Sequence, residues 1–283
     1  MKCPNTNCQT ELPDDANFCL KCGTKILLSK ICPTPGCDFD IGSLPPDAKY
    51  CPECGNEIAP PKEPDVYVAG SERDIVKLWK NGVAQNLTNG QNDAVACSVF
   101  VSGNDVYVVG YEENSQENYV ATLWKNGVAK HLSNGRTNAM ANSVYVSGND
   151  VYVTGKKENS QGEFVATLWK NGVAQNLTDG ERNAFALSVY VSSNDVYIAG
   201  SETNSQGNNV AKLWKNGVAQ NLSDGSNSTY PHSVCVSSNN VYIAGYELNL
   251  QIEWVAMLWK NGVAQNLTDG NNSMAHSVFV KYP

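Results

Sequence analysis

The chain has 283 residues, 41% of them hydrophobic and 17% charged, with a formal net charge of −8 at pH 7. This composition supports a buried core and excludes a disordered tail, and the acidic balance disfavours nucleic acid, whose phosphates need clustered Lys and Arg. No apolar run approaches the roughly 18 residues of a membrane span, and the first residues, MKCPNTNC, carry no apolar signal-peptide core, so no membrane partner is expected.

The ten Cys are unevenly placed, eight of them before residue 65 and only Cys97 and Cys235 beyond it. The eight form two similar sets. Cys3 and Cys8 are separated by four residues and followed, after ten more, by Cys19 and Cys22; Cys32 and Cys37 repeat the pattern, followed after thirteen by Cys51 and Cys54. Gly23 and Gly55 follow the second pairs, where a tight turn lets backbone N–H groups approach the thiolates. Four thiolates fill a tetrahedral zinc shell and leave no place for water, so two closed, structural zinc ions are expected. An even cysteine count would also suit a disulfide scaffold, but the paired knuckle spacing favours zinc. Segments this small cannot fold around an apolar core, so metal binding would supply the folding free energy.

The strings CPNTNCQTELPDDANFCLKCGTKI and CPTPGCDFDIGSLPPDAKYCPECGNEI resemble the double zinc ribbons of many prokaryotic proteins. The first pair of each departs from the commoner two-residue spacing. The resemblance implies an interaction or assembly module; some relatives bind nucleic acid, but residues 1–64 carry six Lys against nine acids. Ribbon one is placed at 1–29 and ribbon two at 30–59, and residues 60–64 (PPKEP) form an extended proline linker.

From Asp65 to Pro283 the chain repeats itself. LWKNGVA occurs five times, with Trp79, Trp124, Trp169, Trp214 and Trp259 spaced by 45 residues. In one repeat, Ser143–Ser147 and Val151–Gly155 alternate as strands, Val165–Lys170 forms a third, and a fourth begins at Val173 after the Asn171-Gly172 hairpin turn. Strand-rich repeats of this period predict propeller blades, with the repeat Trp residues as inter-blade core. The segment opens on a second strand and closes on a first strand, Ser277–Lys281, whose natural place is beside Val66–Gly70. The expected fold is mainly β: a monomeric, closed five-bladed propeller of four-stranded blades behind two ribbons. The order HSVFV, DVYVAGYE, VATLWKNG, VAQNLTDG is similar to kelch-type blades without their Gly-Gly doublet, and closer to the HAF-type repeats of bacterial proteins. That resemblance implies an extracellular protein without an agreed activity. Zinc thiolates instead call for a reducing compartment, and the cytoplasm is the expected location.

Comparing the five copies separates two ends of the blades. The turns between strands one and two and the KNG turns hardly vary, whereas variation gathers at the opposite end. There Tyr111, Tyr119, Phe164, Tyr230, Tyr246 and Trp254 enrich one rim in aromatics, and Cys97, Asn142, Leu187, His232 and His276 share one position. Neutral loop drift explains any single one of these differences; the aromatic concentration favours a recognition face for a protein or a glycan. No nucleophile or phosphate-binding motif occurs, and most repeated acids fall in turns, so no enzyme is expected. The alternative is a glycan-processing enzyme on a five-bladed propeller, which would need inward carboxylates. The expected role is therefore non-catalytic binding or scaffolding, with the ribbons for assembly and with Tyr111, Tyr119, Phe164, Tyr230, His232, Tyr246, Trp254 and His276 at the recognition face.

Overall fold

A computed structural model describes residues 37–40, 44, 48–56 and 64–281. The chain divides into two compact units, Met1–Pro64 and Asp65–Pro283. In the first unit a tight turn follows Cys51, with Gly55 N donating to Cys51 O and Cys51 N donating to Asn56 O, both at 2.8 Å. Gly55 has φ +70°, a backbone geometry that costs a glycine nothing.

The second unit is a series of antiparallel sheets. The first sheet holds β1 (Tyr67–Glu72), β2 (Ile75–Lys80) and β3 (Val83–Asn86). The second holds β4 (Ala94–Ser102), β5 (Asp105–Glu113), β6 (Tyr119–Lys125) and β7 (Val128–His131). The third holds β8 (Ala139–Ser147), β9 (Asp150–Glu158), β10 (Phe164–Lys170) and β11 (Val173–Asn176). The fourth holds β12 (Ala184–Ser192), β13 (Asp195–Thr203), β14 (Asn209–Lys215) and β15 (Val218–Asn221). The fifth holds β16 (Thr229–Ser237), β17 (Asn240–Leu248), β18 (Trp254–Lys260) and β19 (Val263–Asn266). The strands run in sequence order across every sheet.

One constellation explains the most repeated residues. In the KNG turn of the third sheet, Asn171 and Gly172 have φ +54° and +86°, as a type I′ hairpin requires. Asn171 Oδ1 accepts from Val151 N at 2.9 Å, and its Nδ2 donates to Asp150 at 2.7 Å. Lys170 completes the arrangement with an ion pair to Asp150 at 2.8 Å. The lysine hydrogen bond holds the Asp150 carboxyl below the usual carboxylate range, helped by Asn171. The same arrangement joins Asp105 with Lys125 and Asn126, and Asp195 with Lys215 and Asn216. LWKNG and D-V-Y are thus two halves of a single lock between strand two and the turn that joins strands three and four.

The first strands are longer than their alternating sequence suggests. β8 starts at Ala139 rather than Ser143, because its pairing with β9 continues past a bulge between Ala141 and Ser143. Where the bulge folds over the neighbouring strand, only a glycine fits: a Cβ on Gly155 would overlap the Met140 carbonyl oxygen. Gly110, Gly200 and Gly245 meet the equivalent carbonyls of Val95, Phe185 and Tyr230.

Each of the first four sheets packs against the first strand of the sheet that follows. Trp124, Trp169, Trp214 and Trp259 are buried in these seams; Trp169, for example, packs with Tyr107, Val109, Ala121 and Leu123 of the preceding sheet. The repeated Ser of each first strand ties the seams together. Val144 N donates to Ser98 Oγ, Val189 N to Ser143 Oγ, and Val234 N to Ser188 Oγ, at 3.1–3.4 Å.

The expected closing strand is not paired with β1. Among the described residues, Met274–Lys281 form no strand, and β1 pairs with β2 alone, so the first sheet has three strands instead of four. The segment is held at the other side of the array, where Val278 N donates to Ser233 Oγ at 3.2 Å. The consequences are local. Val66, just before β1, and Val68 on it are 57% and 52% exposed, Phe279 is 83% exposed, and Trp79, which has no preceding sheet to cover it, is only half-buried.

Candidate functional site

In the second ribbon the structure brings Cys37, Cys51 and Cys54 together, with their sulfur atoms all within 4.8 Å of one another. The Cys37 and Cys51 sulfurs are 3.7 Å apart, far beyond a disulfide bond of about 2.05 Å. With Zn–S distances of about 2.3 Å, the edge of a tetrahedral zinc–thiolate site is about 3.8 Å, so the spacing and donor type fit a zinc ion. Cys37 and Cys51 are buried, with Phe39 and Leu44 packed beside them. Cys32, the expected fourth ligand, lies outside the described residues, as do Cys3, Cys8, Cys19 and Cys22 of the first ribbon. The zinc would supply folding energy and would shape the turn after Cys51; no reacting position is implied by an all-thiolate shell.

At the loop end of the sheets, the expected recognition residues fall into three groups. The largest lies on the fifth sheet and the segment after it. Tyr246 contacts Trp254 edge-on at 5.0 Å between ring centroids, and Tyr230 lies 5.5 Å from Tyr246 and 5.7 Å from Trp254. His232 stacks on Tyr246 at 5.0 Å, and His276 meets His232 edge-on at 5.2 Å. Tyr111 and Tyr119 form a separate edge-on pair on the second sheet. Phe164 forms the third group with Phe185 of the next sheet, and the Lys156 ammonium sits 4.2 Å and 4.9 Å from their ring centroids. All of these rings are half-buried except His276, which is exposed.

Register explains the shared position of Cys97, Asn142, Leu187 and His232. Each occupies the bulge of its first strand, between the paired residues Ala96/Ser98, Ala141/Ser143, Ala186/Ser188 and Pro231/Ser233. A bulge re-aims one side chain without disturbing the rest of the ladder, so this position is free to vary. Burial is the larger cause, and the neighbouring His276 the smaller, of a His232 pKa below the ordinary histidine value. Its Nε2 is out of solvent and has no hydrogen-bond partner. Cys97 keeps a solvent-accessible edge, yet the protein around its sulfur pushes the thiol up to about 11.

Three features escaped the sequence comparison. The Lys156 cation–π contact depends on Phe185 from the adjacent sheet, and the bulges depend on pairing; neither leaves a local sequence signal. The loop anchors do leave one, in the repeated Asn-x-Gln. Asn159 Oδ1 accepts from Gln161 N and Glu163 N while its Nδ2 donates to Gly180 O, an Asx turn repeated at Asn114 and Asn204. An acid also recurs at the end of strand two, but each is engaged within its own sheet: Glu72 with Lys77, Glu112 with Thr122, Glu202 with Lys212, and Glu247 with Thr229. Asp74, in the first sheet, is a turn residue of the β1–β2 hairpin, with φ +66°.

The geometry defines a chain with a cysteine metal module followed by repeated antiparallel sheets, an arrangement consistent with a propeller-like repeat fold. Residues 3–55 match the double zinc ribbon family, so the N-terminal module is a double zinc ribbon. No curated protein matches the chain. Among 55 matching chains of solved structures is a crystal structure of a triple arginine-to-alanine mutant of AofleA from Arthrobotrys oligospora. It is 11% identical, with a TM-score of 0.40, over 80% of this chain and 79% of that one. Among the described residues, no helix is long and apolar enough to cross a membrane.

Proposed function

We propose that the protein is a non-catalytic binding or scaffold protein of a reducing compartment, the cytoplasm. Each ribbon holds one structural zinc ion and serves assembly, while the loop end of the sheets recognises a protein or a glycan. The carrying observation is the cluster of Tyr230, His232, Tyr246, Trp254 and His276, five rings joined in one contact network at the variable end. Large rings held by their neighbours give contact area at small entropic cost. The non-catalytic reading is supported by the engagement of the strand-two glutamates within their own sheets. Screening the full chain on glycan and protein arrays, beside Trp254→Ala, tests the assignment. Hits that weaken at least about tenfold in the variant fit a central aromatic anchor. Ligands that bind both forms equally would place recognition elsewhere.

The reading includes a closed, monomeric five-bladed propeller, in which Ser277–Lys281 adds to β1. Three observations support closure. Gly70 stands where the other sheets need a glycine beneath the first-strand carbonyl, although only the Trp79 ring lies near its missing Cβ. Val66, Val68 and Phe279 expose apolar surface that this pairing would cover. Val278 already makes the serine contact of a first strand. By the register of the other blades, Phe279 would face Tyr67, as Phe100 faces Tyr107.

A further inference from the structure

We infer that His232 and His276 form a binding site for a borderline divalent transition-metal ion such as zinc, separate from the ribbons. The two residues occupy the same repeat position, one on the β16 bulge and one in the segment after the fifth sheet. Their ring centroids are 5.2 Å apart, with the ring planes at 73°. An imidazole nitrogen binds zinc at about 2.0–2.1 Å, which puts the ring centre about 3.2 Å from the ion; two such rings at a tetrahedral angle have centroids about 5.2 Å apart. The observed centroid spacing therefore matches that of two imidazoles sharing one ion. His232 Nε2 is buried without a hydrogen-bond partner, and a metal ion is a partner for it. Stacking on Tyr246 fixes the ring plane of His232, so its orientation does not have to be set by the ion.

Closure of the ring, proposed above, would add a third donor. Two of the bulge residues reach toward the next repeat: Asn142 Nδ2 donates to Ala186 O at 2.9 Å, and His232 meets His276. After His276 the next bulge in cyclic order belongs to Cys97, whose thiolate suits zinc alongside imidazole. Two imidazoles and one thiolate leave a fourth position for water or for an oxygen of whatever the face recognises.

The test is zinc uptake by the full-length protein with its ribbons already loaded, measured by native mass spectrometry and by competition with a chromophoric chelator. The expected result is one additional, weaker zinc ion in the unmodified protein, lost or weakened at least about tenfold in His276→Ala and in His232→Gln. His276 is exposed, so its variant keeps the fold, and comparison within one preparation cancels whatever the ribbons hold. Copper(II) added instead should give an electron paramagnetic resonance spectrum with coupling to imidazole nitrogens. No uptake beyond that of His276→Ala, or equal affinity in both, overturns the site. Cys97→Ser separates the two readings: about tenfold weaker binding supports the closed ring, and unchanged binding removes Cys97 and closure while leaving the histidine pair intact.

Discussion

Replacing Gly155 by Ala isolates the close approach on which each four-stranded sheet depends. Gly155 has an ordinary backbone conformation that alanine can adopt, so no dihedral strain enters. A Cβ would nevertheless overlap the Met140 carbonyl oxygen and stand 2.9 Å from Met140 C and 3.0 Å from Ala141 Cα. Carbon atoms pack at about 3.5–4.0 Å, so β8 must retreat by roughly half an ångström or more at its bulge. Overpacking of this kind costs about 1–3 kcal/mol, and weakening one ladder hydrogen bond adds about 1 kcal/mol. The lower entropy of the unfolded alanine chain returns about 0.4–1 kcal/mol, leaving a net loss of about 1–3.5 kcal/mol. For a domain of this size, at about 2–4 °C per kcal/mol, that lowers Tm by about 2–14 °C. Thermal unfolding followed by near-ultraviolet circular dichroism reads it. A Gly155→Ala protein melting within a degree of the parent would refute the close-approach argument. Gly70→Ala then serves as the companion: an open first sheet predicts a shift near zero, and a closed ring predicts a loss like that of Gly155→Ala.

Trp169→Ala, in a fully buried seam, should cost about 3–5 kcal/mol in urea unfolding, and Trp79→Ala distinctly less while that ring remains half-buried. The depressed pKa of Asp150 makes its ion pair stabilising above the unfolded carboxylate value, with the contribution lost as pH falls through the still lower folded value. Asp150→Asn should therefore lose less stability than the parent between pH 7 and pH 3 in parallel urea titrations; equal acid sensitivity would argue against the pair. Asn240 already shows the neutral alternative, since Asn261 Nδ2 donates to its Oδ1 at 2.8 Å. All six Trp lie beyond residue 64, so their fluorescence reports the repeat unit alone. Chelation of zinc should abolish ribbon structure, seen as new protease cuts before residue 60, while the tryptophan melting curve stays in place.

Much of the repeat unit was legible because its signals are local. Asn-Gly turns, alternating strands and a fixed tryptophan spacing each depend on neighbours in the chain, and the structure places strands where they predict except at Ser277–Lys281. The cysteine knuckles were legible for the same reason: two sulfurs on one turn need only a short spacing and a glycine. What resisted reading was the structural cause of the variable position shared by Cys97, Asn142, Leu187 and His232. As residue types these four have nothing in common, and only strand register reveals that each sits on a bulge. Lys156 was equally opaque, because both of its phenylalanine partners are recruited by pairing and by the adjacent sheet.

The linear pattern by itself determined the division into a cysteine module and five repeats, the sheet hairpins, and the eight metal-ligand candidates, since each follows from spacing along one strand or one turn. Tertiary structure decided which side chains meet. It gathered Tyr230, His232, Tyr246, Trp254 and His276 into one cluster while leaving Tyr111 with Tyr119 and Phe164 with Phe185. Among the described residues it also left β1 with a single partner, where the strand count had supplied a second. The physical reason is common to both: a turn is specified by a few adjacent residues, whereas a seam or a ring closure depends on surfaces that the chain brings together only after every hairpin has formed.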